Sequence, residues 1–319
     1  MDVFTCEGCG AALTAPLSRV AFPLYAGFSY GNGHPMPVLM EAGTYAVDED
    51  PAAWQAHSIV IAPGDAHGTA LVQRREYGAC CGIDGRNGPN VTCAGCGRKV
   101  ATRVDDCSLW QATWLEPAAV RLVAVGPARP VADWAELAED RCGTPLLDLT
   151  GAWDPRWESE VTVTLAHLVA AADGSPVTVD RLLADAFRQF LAALPQTRPA
   201  KRAVLAGPGL PLPEPLPDIA VVPRHPQTGE PWPVPPGVAA APLDLGFWRQ
   251  LAFHREHPAR PAIGRLPPGV ERDDPLPPHP WRPVMVCHSL FFHALSRIPG
   301  IRPAWQDHVR TNAAALLHP

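Results

Sequence analysis

The sequence predicts an α+β protein in two parts: an antiparallel, β-rich N-terminal zinc domain over residues 1–126, then a mixed α/β domain over 127–319 with proline-rich connections. Three observations carry that prediction. Short β-branched or alternating runs bounded by Gly, Pro, Asp or Asn crowd the first part. Seven of the nine cysteines lie there too, four of them in a repeated motif. Helical spacing appears only in the second part, and 319 residues with 47% apolar side chains are ample for two cores.

Taken in order, VAFPLY (20–25), PVLMEAGTYAV (37–47), HSIVIAP (57–63) and GTALVQRR (68–75) read as strands. Asp84-Gly85 and Asn87-Gly88 supply the positive φ angles that tight hairpins demand. AVRLVAV (119–125) closes the first part before Gly126 and Pro127. Beyond it, Leu182, Leu183, Ala186, Phe187, Phe190, Leu191 and Leu194 form one apolar stripe. That helix starts near Thr178 or Asp180, either able to cap, and stops before Pro195. Weaker helical patterns cover 132–141, 244–256, 284–297 and 304–317, and apolar runs at 145–149, 202–206 and 218–222 suit strands. Proline is abundant, 39 residues against the usual ~5%, and concentrates in 208–242 and 258–283. Those segments favour extended connections around a core, with a docking segment for an aromatic-grooved partner as the alternative.

Composition narrows the function classes. The formal charge is −6, which disfavours a nucleic-acid binder working by bulk charge. Only Lys99 and Lys201 are lysines among the 26 basic residues, a bias that fits GC-rich coding and implies nothing about function. The opening MDVFTCEGCG lacks the basic and apolar regions of a secretory leader. No run approaches the ~20 apolar residues that span a bilayer. The expectation is a cytoplasmic protein with no membrane partner, where paired cysteines serve metal ligation before disulfides.

Cys6-Glu-Gly-Cys9-Gly10 and Cys93-Ala-Gly-Cys96-Gly97 share the pattern C-x-G-C-G. Two residues between cysteines let a tight turn aim both thiolates at one ion, and the glycines admit left-handed backbone. Two such knuckles supply four thiolates, the closed tetrahedral set of a structural zinc. The gap, residues 10–92, is long enough that a sheet must lie between them. A redox CxxC is the weaker reading, since that chemistry needs one motif at a helix start. The order of knuckle, β-rich stretch, knuckle, strands and tryptophans over residues 3–125 resembles the β-tent group. That group includes Yippee-like proteins, the zinc form of methionine sulfoxide reductase B and the thalidomide-binding domain of cereblon. The resemblance implies structural zinc on Cys6, Cys9, Cys93 and Cys96. It also implies a small-ligand pocket at the far end of the sheet, with Trp110 and Trp114 as candidate walls. The reductase's own catalytic cysteine motif has no counterpart here.

Weaker features have plainer readings. Cys80-Cys81 is a strand-end pair that could lend one ligand to a metal. In DDCSLWQATW, a helix would put Cys107, Trp110 and Trp114 on one face, either for core packing or as a ligand wall. His254 and His257 have a two-ligand spacing but no acidic third ligand. Cys287, His288 and His293 fall on an apolar helix and make no nucleophile–base pair. There is no P-loop, GxGxxG, GxSxG or deaminase motif. The resulting expectation is a zinc-stabilised binding or adaptor protein for a small molecule or peptide. The alternatives are an enzyme with its site in a cleft between the two domains and a zinc-ribbon regulatory factor.

Overall fold

The computed structural model describes residues 1–29, 36–49, 58–72, 82–148, 151–192, 194–254 and 284–312. Cys80, Cys81, His257, the proline segment 258–283 and the end of the helix expected at 304–317 lie outside the described residues. The fold is α+β, β-rich at the N-terminus and mixed α/β after it. Two compact units divide the chain: Met1–Val131 with Gln227–Gly229, and Ala132–Pro226 with Glu230–Pro319.

The first unit contains β1 (Asp2–Cys6), β2 (Ser18–Arg19), β3 (Thr44–Val47), β4 (Ile59–Ile61), β5 (Thr69–Leu71), β6 (Val91–Cys93), β7 (Lys99–Val104), β8 (Ala112–Leu115) and β9 (Val120–Ala124). β1 and β9 form an antiparallel ribbon, and the others form one sheet in the order β2-β3-β4-β8-β7-β6-β5. All pairs in that sheet are antiparallel except β2–β3. One buried cluster joins Phe4, Leu13, Leu17, Tyr45, Ile61 and Val100. A second gathers Met36, Met40, Ala46, Val60 and Trp110.

Three local expectations change here. VAFPLY is not a strand: Pro23 starts a turn closed by Ala26 N–H donating to the Pro23 carbonyl at 3.0 Å, and Phe22 and Tyr25 pack on the second cluster. The 37–47 run shortens to β3 because Gly43, at φ 79°, turns the chain just before it. DDCSLWQATW is not helical. Asp106 Oδ1 accepts from the Ser108 N–H at 2.9 Å, a local turn that competes with a helix, and strand geometry follows from Ala112.

The second unit contains α1 (Trp134–Glu139), α2 (Pro155–Ala172), β10 (Val177–Val179), α3 (Arg181–Leu191), β11 (Lys201–Leu205), β12 (Ile219–Arg224), β13 (Ala239–Asp244), α4 (Leu245–Phe253), α5 (His288–Arg297) and α6 (Pro303–Thr311). The four strands are parallel and ordered as in sequence. α3 begins where expected, because the Asp180 carboxylate accepts from the N–H groups of Leu182 and Leu183. The described part of the run at 145–149, residues 145–148, is no strand but one bridge, Leu147 to Trp153.

The helix that sequence reasoning missed, α2, organises this unit. Asp154 caps it and Pro155 occupies its first turn. Its apolar stripe is invisible because nearly every residue is buried, including Glu158 and Glu160. The β-branched run Val161–Thr164 stays helical with Thr162 Oγ1 donating back to the Glu158 carbonyl at 2.7 Å. Glu160 pairs with Arg224 at 2.5 Å and accepts from the Asp244 N–H at 3.1 Å, which ties α2 to β12 and β13. Burial pushes its carboxyl up despite Arg224.

Candidate metal centre

Each knuckle is the tip of a hairpin and follows directly from a strand: β1 ends at Cys6 and β6 at Cys93. Local bonding repeats almost atom for atom. The Cys6 N–H donates to the Ala11 carbonyl and the Cys93 N–H to the Arg98 carbonyl, both at 2.8 Å. Gly10 N–H donates to the Cys6 carbonyl and Gly97 N–H to the Cys93 carbonyl, again at 2.8 Å. Gly10 and Gly97 sit at φ 74° and 73°, left-handed backbone that a side chain would strain. The two hairpins face each other, so the first glycine of each motif lies against the other hairpin. A Cβ on Gly8 would stand 3.6 Å from Cys96 Sγ, and one on Gly95 would stand 3.5 Å from Cys9 Sγ.

This places all four sulfurs within 4.8 Å of one another. Cys6 and Cys96 are 3.6 Å apart, as are Cys9 and Cys93. A tetrahedron with ~2.3 Å metal–sulfur bonds has edges of about 3.8 Å, close to the two 3.6 Å pairs, so the four thiols are grouped as a zinc ion would need. Cys6 and Cys93 are buried, whereas Cys9 and Cys96 are exposed. Burial pushes the Cys6 thiol up, but hydrogen bonds from the Gly8 and Cys9 N–H groups and from the Cys96 and Cys93 thiols outweigh it and bring it down to about 7. Cys9 receives a bond from the Ala11 N–H, yet its contacts with Cys93 and Cys96, burial, and Cys6 push it up to about 12. Hydrogen bonding within the cluster thus pushes these two thiols in opposite directions.

Sequence reasoning missed the braces around this cluster. Glu7, between two of the thiols, makes a bidentate pair with Arg121 of β9 at 2.6 and 3.0 Å. The Arg121 guanidinium holds the Glu7 carboxyl below the usual range, with a further contribution from Arg98. Arg98 donates to the Ala118 carbonyl at 3.0 Å, and the Glu7 N–H to the Ala119 carbonyl at 2.9 Å. The segment leading into β9 therefore ties both knuckles. The basic residue directly after the second motif was the available signal.

Trp110 precedes β8 and Trp114 lies within it, both in a packing cluster separate from that of Cys6 and Cys93. Trp110 is buried, donates its Nε1–H to the Tyr25 carbonyl at 3.0 Å and stands 5.1 Å from the Tyr25 ring. Trp114 is half-buried in β8, 6.4 Å from the Phe22 ring. His254 holds the Arg141 carbonyl at 2.8 Å. Cys287 caps α5 without a side-chain cap bond, and the His288 ring packs edge-on against Phe292. Among the described residues, no helix is long and apolar enough to cross a membrane. Comparison with protein-family models, curated proteins and solved structures finds no match to this chain.

Proposed function

We propose that this is a zinc-stabilised binding or adaptor protein, with Cys6, Cys9, Cys93 and Cys96 holding one structural zinc ion. The single observation behind the zinc is the convergence of four thiols within 4.8 Å at facing hairpin tips. When bound, zinc supplies a cross-link that holds its ligands as thiolates. Four sulfur ligands leave no open position for water or substrate, which favours a structural over a catalytic role. The cross-link joins hairpin tips far apart in sequence, as expected of a pin. A β-tent-like domain is the finer reading, supported by two knuckles at strand ends with antiparallel strands between them. With zinc in a structural role, the protein's function is recognition of a small molecule or peptide. On the first unit, an aromatic contact for such a ligand falls to Trp114 and Phe22, because Trp110 is enclosed by its neighbours.

Elemental mass spectrometry on tag-free protein tests the zinc assignment. One zinc per chain, lost in Cys93→Ser, is the expected result, with X-ray absorption reporting four sulfurs at ~2.3 Å. Metal-free protein with unchanged stability would sink the assignment.

A further inference from the structure

The second unit holds a cleft of about 1050 Å³, the size of a site for a drug-sized organic molecule. Asp180, Val204 and Leu205 line it at the carboxyl ends of β10 and β11, where open parallel sheets commonly take ligands. Further apolar lining comes from Trp153, Leu182, Leu210, Pro211 and Leu251.

Two polar features give the cleft a chemistry. The first is Trp157, which lines it while being only 1% exposed. Its Nε1–H has no hydrogen-bond partner among the described residues. Other buried indoles of this protein are satisfied: Trp248 donates to the Ala206 carbonyl and Trp305 to the Val169 carbonyl, both at 3.0 Å, as Trp110 does to Tyr25. Native interiors rarely keep such a donor unpaired; the Nε1 itself is enclosed, so an acceptor supplied from the cleft reaches it only with a shift of the indole.

The second feature is charge. Arg181 and Arg188 project from one exposed face of α3, and Arg202, which also donates to the Pro215 carbonyl, adds a third guanidinium. Asp180 is fully engaged by backbone: Oδ1 accepts from Leu182 and Leu183, and Oδ2 from Leu205. Two lining carboxylates, Asp180 and Asp185, are set against three arginines, with Asp185 between Arg181 and Arg188 on the same face of α3. A cationic rim over an apolar body suits an organic acid, since guanidinium matches carboxylate geometry in a two-point contact.

We propose that this cleft binds a small organic acid with a flat apolar body, an acceptor atom taken by the Trp157 N–H and a carboxylate taken by Arg181 and Arg188. The assignment rests on the small-molecule reading above and places the ligand in the second unit, to which none of the four clustered cysteines belongs.

The test uses the full-length protein with its metal content measured on the same sample. The probes are 8-anilinonaphthalene-1-sulfonate, read by its fluorescence, and 2-naphthoate, read by displacement of that dye. One saturable site is expected, at least tenfold weaker in the Arg181→Gln/Arg188→Gln double variant and weakened by a similar factor in Leu210→Trp, which crowds the apolar wall. Trp157→Phe removes the donor together with part of the ring volume and weakens 2-naphthoate severalfold. The uncharged 2-naphthamide binds at least tenfold more weakly than 2-naphthoate. Absence of a saturable site for both charged probes overturns the proposal, as does a site indifferent to the arginine and Leu210 changes. Both variants alter surface or cleft positions, so their folding is checked independently by circular dichroism. Zinc present with no probe site defeats this inference alone, while a probe site without zinc defeats the metal reading alone.

Discussion

In the first unit, the ends of β1 and β6 meet at four thiols, and the apolar side chains behind them split into two modest clusters. In the second, α2 is buried on nearly every side and links β12, β13 and α5 through close packing. With zinc bound as proposed, the first unit would add a single point of cohesion to its clusters, while the second spreads its cohesion through a core. A point can be removed by one atom substitution, whereas a core is lost by degrees. Cys93→Ser therefore gives the largest effect. Structural zinc sites have apparent binding free energies of ~10–16 kcal/mol, comparable with the whole ~5–15 kcal/mol stability of a domain. Hydrogen exchange read by mass spectrometry should show β1, β6 and β7 losing protection while α2, β11 and β12 keep theirs. Equal loss in both units would break the comparison.

The converse change sharpens it. Leu165, fully buried on α2, leaves a cavity when cut to alanine, with an expected cost of about 2–5 kcal/mol. Urea unfolding followed in the second unit should shift, while zinc content stays at the wild-type value. Zinc loss in Leu165→Ala would mean that the two kinds of cohesion are one.

What could be read from sequence follows the same division. The knuckles were legible because C-x-G-C-G is local chemistry, with its glycine conformations and its ligands within five residues. α3 was legible because one face is apolar and Asp180 caps it. α2 was not, since a helix buried all round has no stripe and Val161–Thr164 imitates a strand. β13 hid in a proline-rich segment; as an edge strand it accepts Pro242, which lacks an N–H. The place of Trp110 depended on Tyr25, far back in the chain, and the Glu7–Arg121 brace on strand pairing between the chain start and β9. Contacts of that range leave no periodic trace.

A smaller effect distinguishes the units by pH. Burial, and then the Arg224 charge, push the half-buried His167 on α2 down to about 4 from an ordinary 6.5. Between those values the unfolded chain binds the proton and the folded chain does not. Stability is thus fully present above pH 6.5 and drains as pH falls toward 4, by roughly 1–3 kcal/mol. His167→Leu should flatten that part of the curve. Denaturant midpoints measured from pH 7 to 4 would show it, and an unchanged slope would remove His167 as the cause.

The finest test lies within the knuckles, where two glycines of each motif have different reasons to be glycine. Gly10 and Gly97 hold left-handed backbone at φ 74° and 73°. An alanine there is strained however much space surrounds it, at a cost of about 1–2 kcal/mol. Gly8 and Gly95 have ordinary φ, and an added Cβ would meet its nearest neighbours at 3.4 Å from Arg98 Cδ and 3.5 Å from Cys9 Sγ, normal contact distances. Gly97→Ala should therefore weaken zinc retention against a chromophoric chelator by about five- to thirtyfold, and Gly95→Ala by less than threefold. The same ranking should appear in the first knuckle, because its backbone bonds repeat those of the second. If Gly95→Ala costs as much as Gly97→Ala, the sulfurs are packed more tightly than a four-thiolate site requires, and the backbone turn is not what aims them.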